Sequence, residues 1–254
     1  NMCYTIRVAG WNGESGSGVV DLSYNTACVI TPPVPQPDPL ANKCKYISMS
    51  IPSAPNNNVA IRVALTSLHH VNPPYTGGPS TPFTSFEGQI RWVGAPQSYS
   101  ESASNATTFW SSKLQCTPHY QTWNTLGLFH VTGTEVVPSS TYTVQTLAAA
   151  CMGNEAACTY VSAAAALNTT RWGDVVSPYN PPSNTTQPDF GDVSAMVDKF
   201  RSTPGAIPKV QALLNSDDQF GVFDPGEDID FSDISDCVDA FRGRAYPFTI
   251  APCP

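Results

Sequence analysis

Positive charge is scarce in this 254-residue chain: twelve Lys and Arg stand against twenty Asp and Glu, leaving a net charge of −8. Such a field repels phosphate backbones, so nucleic-acid binding is excluded as an expected role. Charge of either sign is thin, at 13% of residues, which disfavours long helices with solvated charged faces. No apolar run reaches the length of a membrane span. HExxH, GxSxG, a glycine-rich phosphate loop and CxxC are all missing. With them go the signatures of metalloprotease, serine hydrolase, nucleotide and zinc–thiolate chemistry, and the chain reads as non-enzymatic. There is no signal peptide and no initiator Met, so the sequence is expected to start inside a longer precursor.

What is present begins with eight cysteines: Cys3, Cys28, Cys44, Cys116, Cys151, Cys158, Cys237 and Cys253. An even number without metal-ligand spacing points to disulfides and an oxidising, extracellular or cell-surface location. Pairing by sequence neighbours gives Cys3 with Cys28, Cys44 with Cys116, Cys151 with Cys158, and Cys237 with Cys253. Sequons at Asn105, Asn168 and Asn184 are candidate glycosylation sites of an exported protein.

Pro, Gly, Ser, Thr and Asn are abundant and break the chain into short pieces. Residues 4–8, "YTIRV", and 19–24, "VVDLSY", alternate around a glycine-rich turn and read as a β-hairpin spanning residues 1–30. Two strands alone are marginal in water, so this hairpin needs further strands from elsewhere. It resembles the closing strands of the jelly-roll domains of secreted bacterial multidomain proteins. A proline-rich stretch, "TPPVPQPDPL", opens a linker over residues 31–43. From 44 to 170, "YISMSI", "NVAIRVALTSL", "EGQIRWVG", "LGLFHVTG", "TYTVQTLA" and "CTYVSAAAAL" are strand-like and predict a mainly β unit, an antiparallel β-sandwich. "SAAAAL" is open between strand and helix.

Residues 171–254 differ. They hold thirteen of the twenty acids, so a cation or a basic surface is their natural complement. "DFGDVSAMVDKFR" at 189–201 returns 41 positions later as "DFSDISDCVDAFR" at 230–242, with eight of thirteen positions identical. Phe190, Val193, Val197 and Phe200 fall on a helical stripe that Phe231, Ile234, Val238 and Phe241 repeat. "PKVQALL" at 208–214 predicts a third short helix with Pro208 in its first turn. Asp189 or Asp192, and Asp230 or Asp233, are placed to cap the repeated helices.

Paired short helices entered through "D-F-x-D-[VI]-S" resemble the dockerin-type repeat, a duplicated F-hand module of secreted bacterial proteins. That resemblance implies a small α-helical unit over 171–254, calcium as cofactor, and a docking partner. In the family, acidic oxygens at loop positions one, three, five, nine and twelve hold the ion. Asp189 and Asp192 match positions nine and twelve of the first loop, and Asp230 and Asp233 those of the second. Upstream, Asp224 and Asp228 match positions three and seven, with Asp217 and Asp218 further back. The expected first and fifth carboxylates of the second loop are missing, and "YNPPSNTTQP" supplies none to the first.

Two further chemistries are weighed. Glu87 and Glu135 are the carboxylate pair a glycosidase would need, and Trp92, Trp110, Trp123, Tyr99 and Tyr120 are either sugar-stacking platforms or core. His69, His70, His119 and His130 form no ligand motif. The expected function is a structural, fibre-forming subunit that self-associates head to tail through its hairpin, possession of open strand edges being the reason. Glycan- or protein-binding module, and non-catalytic tail of a secreted hydrolase, stand as alternatives.

Overall fold

The computed structural model describes residues 31–38, 44–55, 57–68, 84–102, 105–179, 188–215 and 221–253. The hairpin expected over 1–30 lies outside them with Cys3 and Cys28, as do His69, His70, Asn184, Asp217 and Asp218.

Strands dominate the described residues: β1 (Gln36–Pro37), β2 (Ile47–Ser50), β3 (Asn58–Ser67), β4 (Ile90–Val93), β5 (Gln97–Ser102), β6 (Asn105–Gln115), β7 (Tyr120–Thr122), β8 (Leu128–Thr132), β9 (Thr141–Ala148) and β10 (Ala165–Asn168). Helices α1 (Phe190–Phe200), α2 (Lys209–Ala212) and α3 (Phe231–Phe241) follow. The strands make one sheet in the order β1-β2-β8-β6-β4-β3-β9-β10, with β5 on β6 and β7 on β3. All pairs are antiparallel except β6 with β8, which run parallel, a departure from the expected all-antiparallel arrangement. "SAAAAL" resolves as strand, since its last residues form β10 against β9.

The sheet curls until β1 approaches β10 and nearly closes. Alternation explains the enclosed core. Val59, Ile61, Val63 and Leu65 of β3 point inward with Tyr142 and Val144 of β9, to meet Ile47 and Met49 of β2 and Phe129 and Val131 of β8. Each such side chain contributes about 1.5–3 kcal/mol by leaving water. Trp123 stacks on Phe129 at 5.0 Å and donates from its indole N–H to the Val59 carbonyl at 2.9 Å. The proline stretch is extended as expected, but it does not stand away as a spacer. Pro32, Pro33 and Pro35 are buried, the Pro33 carbonyl accepts from the Thr146 hydroxyl, and Gln36–Pro37 pair with β2.

The helical part shares this core. Trp172, Ala240, Tyr246, Phe248 and Ile250 belong to the same apolar cluster as β3 and β9, so residue 170 marks a change of local structure and not a break in packing. Gly173 shows why the join is tight. Its φ is +78°, and a side chain there would meet the Ala240 Cβ at 2.6 Å.

The disulfides correct two of the expected pairs. Cys151–Cys158 forms as expected, whereas Cys116 bonds Cys253, so the pairs Cys44–Cys116 and Cys237–Cys253 do not exist here. Cys44 and Cys237 are buried thiols. The physical reason is the tail: after α3 it runs back over the β core, with Tyr246, Phe248 and Ile250 buried, and brings Cys253 to Cys116 at the end of β6, 5.7 Å between Cα atoms.

Candidate functional site

The repeated helices open on matching caps. In α1 the Asp189 side chain accepts from the Gly191 N–H at 2.6 Å, while Asp192 Oδ2 accepts from the Asp189 N–H at 2.9 Å. In α3 Asp230 accepts from the Ser232 N–H at 2.6 Å, and Asp233 Oδ2 accepts from the Asp230 N–H at 3.0 Å. Both are reciprocal capping boxes with Asp in the third position.

The third-position aspartates do more than cap. Asp192 Oδ1 accepts from the backbone N–H groups of Val175 and Val176 at 2.8 and 2.9 Å. Asp233 Oδ1 accepts from Leu214 and Asn215 at 2.7 and 2.8 Å. Each carboxylate is therefore a buried clamp that joins its helix N-terminus to a segment sixteen to nineteen residues earlier. Burial pushes both carboxyls above the usual carboxylate range, against the opposing pull of the amide donors.

The expected amphipathic stripe is corrected at its ends. The α1 face turned inward carries Asp192 and Met196, and that of α3 carries Asp233, Ile234, Cys237 and Ala240. Phe190 and Phe231 stand 74% and 73% exposed, and Phe200 and Phe241 are exposed as well. The clamp aspartate has to face the body of the protein, and the helix rotation this sets carries the flanking phenylalanines outward.

The calcium-ligand set implied by the resemblance divides between the two loops. Both lone pairs of Oδ1 in Asp192 and in Asp233 are taken by N–H donors, whose positive ends also repel a cation. At the first cap Asp189 has beside it only Asp192, which is already engaged by N–H donors. Around the second, Glu227, Asp228, Asp230 and Asp233 line a cavity of about 130 Å³ with Asn215 and Ser232. Asp228 is paired with Lys209 Nζ at 3.0 Å, and Asp224 accepts from the Gly226 N–H at 2.8 Å in its own turn. Among the described residues no three His, Cys, Asp or Glu side chains converge closely enough to hold a metal as they stand. Among the described residues the first loop gathers no acid-lined space, whereas the second does.

A larger cavity, about 570 Å³, lies where the β5–β6 hairpin meets the helices. Glu101 anchors it: Oε2 accepts from Lys199 Nζ at 2.7 Å and from the Lys209 backbone N–H at 2.6 Å, while Oε1 is buried without a hydrogen-bond partner. Sequence reasoning missed this group. Its members are 98 and 108 residues apart, and no local pattern links them.

The remaining candidates serve the fold. Glu135 pairs with Arg91 at 2.5 Å in the interior, and Glu87 accepts from the Leu68 N–H at 2.7 Å, so each is engaged in its own structural contact. Trp92, Trp123 and Tyr99 are buried, and Trp110 packs against the core, so they take the core role rather than the sugar-stacking one. His130 is buried beside Ser48, 3.2 Å from its Nδ1, and His119 bonds Gln121 at 3.0 Å. Asn168 is exposed on β10, as an attachment site requires, and Asn105 starts β6. Among the described residues no helix is long and apolar enough to cross a membrane. No family model matches the chain, and neither curated proteins nor solved structures give a match.

Proposed function

We propose that this chain is a non-enzymatic structural protein of the extracellular space, a subunit that assembles with further copies of itself. The observation that carries the reading is the aromatic display of the repeat. Phe190 and Phe231, with Phe200 and Phe241, stand in water at matched positions of two helices. Leaving a large apolar side chain exposed forgoes about 1.5–3 kcal/mol each, and repeated exposure of this kind marks an interaction surface. A second copy is the natural occupant, because the repeat presents one surface twice. The first helix of one chain then meets the second helix of another, a head-to-tail contact that propagates.

On this reading the curled sheet is a β-sandwich that carries a dockerin-like helix pair turned to self-association. The hairpin expected from the sequence of residues 1–30 is assigned the same role, and two disulfides suit the secreted setting. The test is sedimentation velocity and negative-stain imaging of the full chain, of Phe190→Ser/Phe231→Ser, and of a chain lacking residues 1–30. Concentration-dependent filaments are expected from the parent and not from the double variant, whose circular dichroism stays unchanged because the altered side chains are solvent-exposed. A parent chain that stays monomeric at every concentration sinks the reading.

Calcium in the second loop is a second reading, favoured by the acid-lined cavity of about 130 Å³. Asp228 and Asp230 would supply carboxylate oxygens and Asn215 its side-chain carbonyl, as a hard cation prefers.

A further inference from the structure

Cys44 and Cys237 are the described cysteines left as thiols, and both are buried in one apolar cluster with Val175, Met196 and Ile234. They arrive from distant parts of the chain. Cys44 leads into β2, and Cys237 sits in the middle of α3. Yet both meet the backbone of one residue: the Cys237 thiol donates to the Gly173 carbonyl at 3.6 Å, and the Cys44 sulfur lies against the N–H of the same glycine. Two sulfurs on the backbone of one glycine, buried in the same apolar cluster, are neighbours. Gly173 makes the meeting possible, because at its positive φ the missing side chain lets Ala240 of α3 close up.

Other uses of the pair fall away. Among the described residues they join no cluster of metal-ligating groups. Burial pushes the Cys44 thiol up to about 12 and raises Cys237 as well, so neither supplies the thiolate that a nucleophile needs.

We propose that Cys44 and Cys237 are joined by a disulfide in the mature protein, which staples the start of β2 to the middle of α3. The bond forms by exchange with an oxidising disulfide, either a protein oxidant or a small-molecule disulfide. One thiolate attacks a sulfur of the oxidant to give a mixed disulfide and expels a thiolate. The second cysteine, as thiolate, attacks the mixed disulfide, and the net change is two protein thiols oxidised to one disulfide and one oxidant disulfide reduced to two thiols. Closure has to precede full docking of α3, since burial suppresses both thiolates. With Cys116–Cys253 and Cys151–Cys158 formed, this bond gives every described cysteine a partner.

The inference rests on the extracellular reading, and one experiment separates the two. The full chain, exported to an oxidising compartment, is alkylated in denaturant without reduction, digested, and mapped by mass spectrometry. A cross-linked peptide joining Cys44 to Cys237 is expected, with neither alkylated. Alkylation of both, beside intact Cys116–Cys253 and Cys151–Cys158, overturns this inference alone. Cys44 or Cys237 linked to Cys3 or Cys28 overturns it too. Alkylation of all the cysteines in the chain as isolated from its native source overturns the extracellular reading together with it.

Discussion

Replacing Asp233 by Ala removes one acceptor from three backbone N–H groups at once: Leu214, Asn215 and Asp230, at 2.7, 2.8 and 3.0 Å. Asp233 is 1% exposed, so water cannot reach every stranded donor. A buried donor left without a partner costs about 1–3 kcal/mol. The Leu214 amide lies fully inside, while Asn215 and Asp230 are nearer the surface, and one full and two partial losses come to about 3–5 kcal/mol. Asp230→Ala removes an exposed cap and should cost about 1 kcal/mol. Asp233→Asn keeps Oδ1 but turns an amide NH₂ toward the Asp230 N–H, two donors facing each other, and should fall between them, at about 2 kcal/mol. Domains of this kind are stable by only about 5–15 kcal/mol, so the Ala variant should sit close to unfolding. Guanidinium unfolding followed by tryptophan fluorescence in the presence of chelator reads the order. Asp233→Ala costing no more than Asp230→Ala would refute the clamp.

Three other outcomes follow from the same geometry. Calcium titration by calorimetry should give one site and not two, lost in Asp230→Asn, because among the described residues it is the second loop that surrounds a cavity with acids; two equivalent sites would contradict the lone-pair argument. Asp236, desolvated on α3, has its carboxyl raised from 3.8 to about 6, so the folded state binds the extra proton and stability falls as pH rises across that window. Asp236→Asn should remove this slope and, allowing for partial solvent screening, gain about 1 kcal/mol at neutral pH while changing little near pH 3, as measured by melting temperature against pH. Gly173→Ala forces a Cβ to 2.6 Å from that of Ala240 at a positive φ and should cost about 2–3 kcal/mol, with the same substitution at the unencumbered Gly205 costing about 1.

The apolar alternation of β3 and β9 and the residues of β2, β4 and β8 made the mainly β class legible in the sequence. The two most polar long strands were not legible. "QSYSES" and "NATTFWSSKLQ" form β5 and β6, yet Ser, Thr and Asn carry no period-two signal, and their strand state comes from pairing, β6 with β8 and β4, and β5 with β6. The capping aspartates were visible because a cap is local, a matter of three residues. The clamp was not, since its donors are backbone N–H groups, which no side-chain pattern marks. The same limit explains the phenylalanines: a helical stripe predicts burial by hydrophobicity, but here a buried carboxylate sets the rotation.

The clamps also explain why the repeat fades upstream of its helices. From the helix side, Asp192 and Asp233 are 41 residues apart, and every earlier residue is compared at that spacing. The clamped donors, Val175 with Leu214 and Val176 with Asn215, are 39 apart. The second copy therefore holds two more residues between donor segment and helix, and a comparison at fixed spacing slips out of register as soon as it enters the loop. Lengthening a loop by two residues changes its closure entropy by only about 0.1 kcal/mol, so the change is tolerated as long as both ends stay fixed. What was duplicated is then larger than a helix: a donor segment, a loop of adjustable length and a capped helix, closed by one carboxylate. An ion in an entry loop would fix the loop's own residues, whereas a carboxylate on distant amides fixes only its ends. The second loop, longer and lined with acids, is where the two devices are able to coexist, and so it is there that a metal-dependent change in stability is to be sought.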